Sequence, residues 1–301
     1  DEQEEMGGSL RDSRELSDGK PAAEWAAAGV AELSALPDVL LLSRPTANGY
    51  HDHNFVTLHQ RRTEHLADVA PLADGRRQAR ARMHKVRAGR VVLATGTHER
   101  PLVYARNDVP GNLVAGAVST YIRRYGVMPG QRLVLSTSND HAYRAALDWH
   151  DAGREVVAIV DARERPDGDL VAAARSRNIR IITGSAVIEA QGKKRVSAAV
   201  VAAIDIDGFR VKGSTSELAC DTIASSGGYS PVIHLAAHTG RRPVWRDDLL
   251  GFVSGGVPGQ IAAGGANGRW TLRDALADGF EAGVRAAAET GLAAASFTLP
   301  T

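Results

Sequence analysis

The sequence predicts an α/β fold built from Rossmann-like units, and three parts of the chain carry that prediction. Residues 132–136 (RLVLS) predict a buried strand, 141–152 a helix, and 155–161 (EVVAIVD) a second strand. Strand, helix and strand within about 30 residues form a βαβ unit, whose connection is right-handed. A further buried strand at 90–94 (RVVLA) runs into a tight turn, and a Gly-rich segment at 259–279 leads from a strand into a helix.

The length and composition predict about two domains. The chain has 301 residues, of which 44% are hydrophobic and 24% charged. Because Pro129-Gly130 marks a boundary, we expect a first domain at 1–128, an inserted second Rossmann-like domain at 129–231, and a return to the first domain at 232–301. The first residue is Asp1 rather than Met, which suggests a piece of a longer polypeptide.

The charge balance argues against nucleic acid and anionic membranes as partners. The chain carries 36 Lys and Arg against 35 Asp and Glu, a net charge of +1. Its local basic cluster consists of Arg76, Arg77, Arg80, Arg82, Lys85, Arg87 and Arg90. No aromatic residues interleave these charges, so a solvated sheet face is favoured over a nucleic-acid surface. No run approaches the roughly 18 apolar residues of a membrane span, and we expect a cytoplasmic protein.

A single cysteine, Cys220, limits the chemistry available to this chain. It excludes an internal disulfide, a CxxC redox centre, a structural zinc site and a cysteine-ligated iron–sulfur cluster within the chain. Its setting, CDTIASSGG, is that of a strand entering a turn, which predicts a packed thiol rather than a reactive one.

The remaining elements follow from apolar runs and from breaking residues. The N-terminal third predicts a helix in the second half of 10–38, a buried strand at 39–43, and half-exposed strands at 55–58 and 79–86. Further along, we expect helices at 114–125, 170–177 and 271–288, and strands at 179–183, 196–204, 208–211 and 220–225. The last helix has its apolar residues at the helical period, namely Leu272, Leu276, Phe280, Val284 and Ala287.

Neither Rossmann-like unit contains a complete GxGxxG phosphate loop. In the second unit, residues 136–140 (STSND) replace the glycines; side chains there block close approach of a pyrophosphate, although hydroxyls can still cap a helix or hold an anion. Asp161 ends the next strand, where a ribose-binding acid belongs. A functional dinucleotide site and a structural relic of the fold both stay open, and the relic is favoured.

The first unit keeps more of a nucleotide-binding pattern. Asp1-Glu2 followed by Gly7-Gly8 is what remains of a Rossmann unit cut before the end of its second strand, where an acid binds the adenosine ribose. Thr95-Gly96 forms a turn whose small residues let the backbone approach a nucleotide. This turn, and the Gly-rich turn at 259–279, are typical of flavoproteins with two dinucleotide-binding domains. Many of these carry an Asp for the ribityl chain where this sequence has Gly265, which disfavours ordinary flavin binding.

Longer strings resemble one family, the alpha subunit of heterotetrameric sarcosine oxidase. They are ATGTHERPLVYARNDVPGNLVAGAVSTYIRRYGVMPGQ (94–131), DEQEEMGGSL (1–10), NGYHDHNFVTLHQRRTEHL (48–66), SNDHAYRAALD (138–148) and CDTIASSGGYSPVIHLAAHTG (220–240). The resemblance runs through essentially the whole chain. Subunits of hydrogen cyanide synthase and opine dehydrogenase share the ATG turn but match these strings less well.

The resemblance implies an FAD/NAD(P)-binding fold with two dinucleotide-binding domains, its first βαβ unit truncated at the N-terminus and a folate-binding domain beyond the C-terminus. It implies NAD in this subunit, with FAD as the alternative. The implied contacts are Asp1, Glu2, Ser9, Ala47, Thr95, Gly96, Gly265, Trp270 and Leu272. Beta, gamma and delta subunits are the implied partners, with FMN and FAD on the partner side, where amine oxidation belongs. An isolated fragment is then inactive.

Two readings other than this NAD-binding region stay open. One is an independent FAD- and NAD(P)H-dependent oxidoreductase of the cyanide synthase or opine dehydrogenase type. The other is a structural module with an empty nucleotide site. The sequence indicates no catalytic acid–base pair, nucleophile elbow or triad.

The histidines do not define a metal site. His51 and His53 have HxH spacing but no third ligand, so a polar loop is favoured. His234 and His238 lie four residues apart, and the neighbouring Leu235 and Ala236 favour a half-buried packing helix.

Overall fold

The computed structural model describes residues 1–293. It divides into unit 1, Asp1–His98 with Ser230–Thr301, and unit 2, Glu99–Tyr229. The closing segment SFTLPT, which the sequence suggests as the start of a linker, lies outside the described residues.

The described elements alternate between strands and helices for much of the chain. The strands are β1 Leu16–Ser17, β2 Lys20–Pro21, β3 Pro45–His51, β4 Phe55–Arg61, β5 Ala81–Arg87, β6 Val91–Leu93, β7 Thr97–Glu99, β8 Asn112–Val114, β9 Arg132–Thr137, β10 Glu155–Asp161, β11 Ile181–Thr183, β12 Ser185–Gly192, β13 Val196–Ile204, β14 Val211–Ala219, β15 Thr222–Ser226, β16 Tyr229–Pro231, β17 Val244–Arg246, β18 Gly251–Val253 and β19 Gln260–Ala262. The α-helices are α1 Ala22–Ser34, α2 Ala115–Tyr125, α3 Tyr143–Asp151, α4 Asp169–Ser176, α5 His234–Ala237 and α6 Leu272–Glu289, and short 3₁₀ helices span Gly8–Asp12 and Gly264–Asn267. Within residues 1–293, none of the helices combines the length and hydropathy that crossing a membrane requires.

Unit 2 is built around a five-stranded parallel sheet with the order β11-β10-β9-β15-β8. Successive side chains of β9 point to opposite faces of the sheet, and both faces are covered by other elements. Leu133 and Leu135 pack into a cluster with the helical residues Tyr143 and Trp149, whereas Val134 packs into a second cluster that includes residues of β12 and β13. The strand order reverses between β9 and β15, which is where open α/β sheets place their ligands.

The observed start of unit 2 differs from the predicted boundary at 128/129. The segment from Glu99 belongs to unit 2 because β8 pairs in parallel with β15 and Val118 of α2 lies in the core of the same sheet. The predicted return at 231/232 lies close to the observed crossing after Tyr229.

A second, antiparallel sheet in unit 2 has the order β12-β13-β14. The strand predicted at 196–204 is confirmed as β13, but β12 was not predicted and the strand predicted at 208–211 was misplaced. Residues 205–210 form the turn before β14, in which the Asp205 carboxylate accepts from the backbone N–H groups of Phe209 and Arg210. Side chains along most of β14 are exposed, so it carries little apolar alternation to predict it.

Unit 1 contains an antiparallel sheet, β3-β4-β5, and a parallel pair, β6 with β19. The strands predicted at 55–58 and 79–86 are confirmed as β4 and β5, while β3 was not predicted. The basic side chains of β5 lie on a largely exposed strand at the edge of this sheet, as the solvated-face interpretation expects.

The strand predicted at 39–43 is wrong. Within the described residues these positions belong to no sheet, and Leu40 is 76% exposed. An apolar run forms a strand only where a neighbouring strand satisfies its backbone N–H and C=O groups. The helix before it is confirmed, because α1 ends at Ser34 ahead of Pro37.

Candidate functional site

Unit 1 brings two of the predicted small-residue turns together. Because β6 and β19 are parallel and adjacent, the turns that follow them lie at the same sheet edge. Gly96 has a φ of 71°, in the left-handed region that favours glycine. A Cβ on Gly265 would lie 2.9 Å from Thr97 Cγ2 and 3.3 Å from Gly96 Cα. The two turns therefore pack backbone to backbone, with no space for a side chain at position 265.

The turn after β6 is held by the chain segment that precedes α5. Thr95 Oγ1 donates to the carbonyl oxygen of Val232 at 2.6 Å, and the Val232 N–H donates to the Gly96 carbonyl at 3.0 Å. Thr95 thus fixes the conformation of the turn with its own side chain, and its hydroxyl is already in use.

The turn after β19 is held by α6. The Gly264 N–H donates to Asp278 Oδ2 at 2.8 Å, and Asn267 Nδ2 donates to both oxygens of the same carboxylate at 3.1 and 3.2 Å. Arg269 Nε lies 3.4 Å from Asp278 Oδ1. Asp278 and Asn267 also line a cleft of about 300 Å³ along α6, which contains none of the predicted cofactor contacts.

Trp270 and Leu272 lie where the closing turn becomes α6. Thr271 is the N-cap, and its hydroxyl accepts from the Asp274 N–H at 3.1 Å. The predicted C-terminal helix is confirmed within a residue at each end. Its 18 residues place the positive end of the helix dipole beside the closing turn, and Trp270 and Leu272 are half-buried there.

The N-terminal candidates lie in a different part of unit 1. Asp1 Oδ1 accepts from the Gln3 N–H at 2.9 Å, and the terminal ammonium of Asp1 donates to Leu42. Glu2 accepts through its carbonyl from Arg61, and Ser9 is exposed in a 3₁₀ helix. These contacts connect Asp1 and Glu2 to the segment before β3 and to β4.

Ala47 lies within β3. It is half-buried against a core cluster that contains Leu93, the residue that ends β6. Ala47 is therefore connected to the turn after β6 through this core cluster, which also contains the last residue of β6.

The corresponding edge of unit 2 is filled by its own side chains. Asp161 is fully buried and accepts hydrogen bonds from Tyr143 Oη at 2.8 Å and from Arg163 Nε and Nη2 at 3.0 and 2.8 Å. Arg163 also pairs with Asp140 at 2.8 Å. The hydrogen bond that Arg163 donates to Asp161 raises the pKa of the Arg163 guanidinium. Burial, and then the hydrogen bond to Asp161, raises the pKa of the Tyr143 hydroxyl. The acid considered for ribose binding is thus fully engaged within the protein.

The loop after β9 is similarly satisfied from within. Asn139 Nδ2 donates to Ser226, its Oδ1 accepts from the Ala142 N–H, and Thr137 Oγ1 accepts from the Asn139 N–H at 3.0 Å. These contacts favour the structural relic over a functional dinucleotide site in unit 2.

Another titratable residue of unit 2 is Glu99, which the sequence places beside His98 without indicating a catalytic triad. Its Oε2 accepts from the Gly116 N–H at 2.7 Å at the start of α2. Burial raises the pKa of this carboxyl, although the hydrogen bonds that it accepts oppose the shift.

The histidines do not assemble a metal site in the described part of the chain. His51 ends β3, and His53 lies in the following turn with a φ of 60°. His238 Nδ1 accepts from the Tyr50 N–H at 3.4 Å, and Leu235 and Ala236 of α5 are buried, as the packing-helix interpretation expects.

Asp278 and Arg163 were not predicted. The partners of Asp278 lie 9 to 14 residues before it in the closing turn, and Arg163 joins the nearby Asp161 to the distant Asp140, so no motif in the sequence marks either set of contacts.

Comparison with known proteins agrees with this architecture. The crystal structure of Lactococcus lactis thioredoxin reductase matches 95% of this chain and 88% of its own chain, with a TM-score of 0.66 and 18% identity. The crystal structure of L-proline dehydrogenase from P. horikoshii matches 98% of this chain and 50% of its own chain, with a TM-score of 0.65 and 16% identity. At these identities the likeness shows the fold alone, and it confirms the predicted FAD/NAD(P)-binding α/β fold.

Sequence relatives show the family. No family model matches the chain. Sarcosine oxidase subunit alpha of Corynebacterium sp. (strain P-1) is 39% identical over 295 residues, which are 97% of this chain and 30% of the relative. That of Rhizobium meliloti (strain 1021) is 36% identical over 274 residues, 91% of this chain and 26% of the relative. The chain thus spans about 30% of the length of the curated relatives it matches, and over that length it belongs to the sarcosine oxidase alpha subunits.

Proposed function

We propose that this chain is the NAD-binding region of the alpha subunit of a sarcosine-oxidase-like enzyme. The observation that carries the proposal is the packing of Gly96 against Gly265 at one edge of two parallel strands, in a chain 39% identical to a sarcosine oxidase alpha subunit. Small residues in two facing turns leave the backbone open to a dinucleotide, and the start of α6 offers its positive dipole end to a diphosphate.

The residues fit NAD better than FAD. Many flavoproteins of this fold use an Asp near the ribityl chain, whereas position 265 holds glycine. A side chain there would press on Thr97 and on the Gly96 backbone, so no carboxylate can take that place without a rearrangement. Gly265, Trp270 and Leu272 would then face the diphosphate end of the dinucleotide, and Asp1 and Glu2 the adenosine ribose.

The chemistry of the whole enzyme is assigned mainly to the partner subunits. NAD is a hydride carrier, and in the proposed assembly it is a bound component of the scaffold. Amine oxidation takes place at the flavin-bearing beta subunit, which holds FMN and FAD, and gamma and delta subunits complete the complex. The proposed overall reaction converts sarcosine, oxygen and tetrahydrofolate to glycine, hydrogen peroxide and methylenetetrahydrofolate.

Release of the bound nucleotide tests the proposal. The full-length protein that contains this chain is purified and denatured, and the supernatant is assayed for NAD enzymatically and for FAD by fluorescence. We expect NAD in stoichiometric amount from this subunit. FAD in its place would support an oxidoreductase of the cyanide synthase or opine type, and absence of both dinucleotides would support a structural module.

The isolated chain provides a second check on the division of labour. We expect no consumption of oxygen with sarcosine from the 301-residue chain alone, because the flavin chemistry resides on the partner. Sarcosine turnover by the chain alone would refute that assignment.

A further inference from the structure

One carboxylate ties the closing turn to the body of α6. Asp278 lies on the second turn of that helix, and its side chain is 12% exposed. It accepts hydrogen bonds from the Gly264 N–H, from Asn267 Nδ2 and from Arg269 Nε. All three donors belong to the turn between β19 and α6, and none belongs to the helix itself.

The closing turn is therefore fixed from two sides. On the strand side, the Ala263 N–H donates to the Leu93 carbonyl of β6 at 2.9 Å. On the helix side, the Asp278 carboxylate accepts a hydrogen bond from the N–H of the next residue, Gly264, whose φ is 64°. Gly265 follows immediately, and its position against Gly96 depends on both anchors.

The charge of Asp278 is compensated within the turn. A free carboxylate near a diphosphate would oppose nucleotide binding through charge repulsion. Here Arg269 offsets the negative charge, and the two neutral donors use the remaining acceptor positions of the carboxylate. These contacts let an acidic side chain organise an anion-binding turn.

We propose that Asp278 is a positioning residue for dinucleotide binding: it holds the Gly264–Asn267 turn in the conformation that receives the diphosphate. The proposal rests on the NAD-binding function proposed above. In it, Asp278 touches no part of the nucleotide and acts only through the turn.

The test compares three variants of the full-length protein. Asp278→Ala removes all three acceptor contacts. Asp278→Asn keeps an oxygen acceptor for the Gly264 N–H and loses the charge that faces Arg269. Glu281→Ala is the matched control, because Glu281 lies exposed on the same helix and its side chain makes no hydrogen bond or ion pair within residues 1–293.

Two readouts are combined. We expect Asp278→Ala to raise the dissociation constant for NAD about tenfold or more, as befits the loss of charge-assisted hydrogen bonds. Backbone hydrogen exchange at Gly264 should accelerate by a similar factor in the same variant. Asp278→Asn should restore most of both properties, within about threefold of wild type, and Glu281→Ala should match wild type.

The outcomes separate the two proposals. Unchanged exchange at Gly264 in Asp278→Ala overturns the positioning role. Faster exchange with an unchanged dissociation constant for NAD also overturns it, because the turn would then not control binding. If wild-type protein neither contains nor binds a dinucleotide, the proposed function fails, and the positioning role fails with it even where exchange shows that Asp278 holds the turn. Should Asp278→Ala fail to fold, Asp278→Asn decides: a dissociation constant raised more than tenfold while Gly264 stays protected overturns the proposal.

Discussion

Cys220 shows how its surroundings set the chemistry of a side chain. The thiol is 4% exposed and packs in the second core cluster of unit 2, which confirms the packed cysteine predicted from its setting. Burial, reinforced by the neighbouring Asp221 carboxylate, raises the pKa of Cys220 to about 12.

This environment makes the thiol inert toward alkylation. Because the thiolate is the reactive species, we expect native full-length protein to be labelled by iodoacetamide at Cys220 at least about a hundredfold more slowly than unfolded protein at pH 8. Mass spectrometry of the peptide containing Cys220 measures the two rates. Similar rates in the native and unfolded samples would contradict the burial described here.

The burial of the Glu99 carboxyl leads us to expect that the stability of the fold depends on pH. Its carboxyl has a pKa raised by burial above the ordinary value of 4.5. A raised pKa means that the folded state favours the protonated acid, so this contribution to stability is complete below pH 4.5 and is lost as the pH rises through the raised value.

Glu99→Gln should remove that dependence, since the amide is neutral and its oxygen can still accept from the Gly116 N–H. We expect the melting temperature of the variant to exceed that of wild type increasingly from pH 4 to pH 8, measured on the full-length protein. Glu281→Gln, which changes an exposed acid, is the control. Parallel profiles for wild type and Glu99→Gln would show that burial does not penalise the Glu99 carboxylate.

Single residues were predictable where a small side chain or a turn conformation was needed. Gly96 and Gly265 carry such a requirement in the sequence itself, and the structure places them together. Asp161 was recognised only as an acid at a strand end. Its engagement by Tyr143 and Arg163 depends on side-chain contacts that strand spacing does not encode.

At the scale of elements, the pairing of the two turns can be measured by a double-mutant cycle. Gly265→Ala would bring a Cβ to 2.9 Å from Thr97 Cγ2, and we expect it to cost about 1–3 kcal/mol through overpacking. Thr97→Ser removes that methyl group, so the double variant should recover part of the loss, with a coupling of about 0.5 kcal/mol or more.

Urea unfolding of the full-length protein and its three variants measures the coupling. Additive effects of Gly265→Ala and Thr97→Ser would mean that the two turns do not contact each other as described.

The elements themselves were predictable when their pattern was strong. Four strands of the parallel sheet (β9, β10, β11 and β15) and the periodic helix α6 were located within about two residues, because apolar runs and a clear helical period mark them; the short edge strand β8 was not predicted. The run at 39–43 had the composition of a strand but no partner strand in the described chain. Strands β3 and β14 were missed or misplaced because polar and small residues dominate them.

At the scale of the whole molecule, the sequence predicts two Rossmann-like domains with one inserted in the other, and unit 2 of the structure interrupts unit 1 along the chain. The point of insertion was set too late, since a Pro-Gly pair inside unit 2 resembles a boundary and the pairing of β8 with β15 is a long-range contact. The two units also differ in the strand edge at which a nucleotide would bind. Unit 1 keeps open, small-residue turns, whereas unit 2 has filled the corresponding edge with the Asp161–Arg163–Asp140 network.

We propose that a dinucleotide binds in unit 1 and not in unit 2. The most direct test of this proposal is the NAD content of full-length protein carrying either Gly265→Leu or, at the loop after β9, Ser138→Leu, with thermal unfolding to show that each variant is folded. We predict that wild type and Ser138→Leu retain stoichiometric NAD and that folded Gly265→Leu loses most of it. NAD retained in Gly265→Leu and lost from Ser138→Leu would show instead that the dinucleotide binds in unit 2.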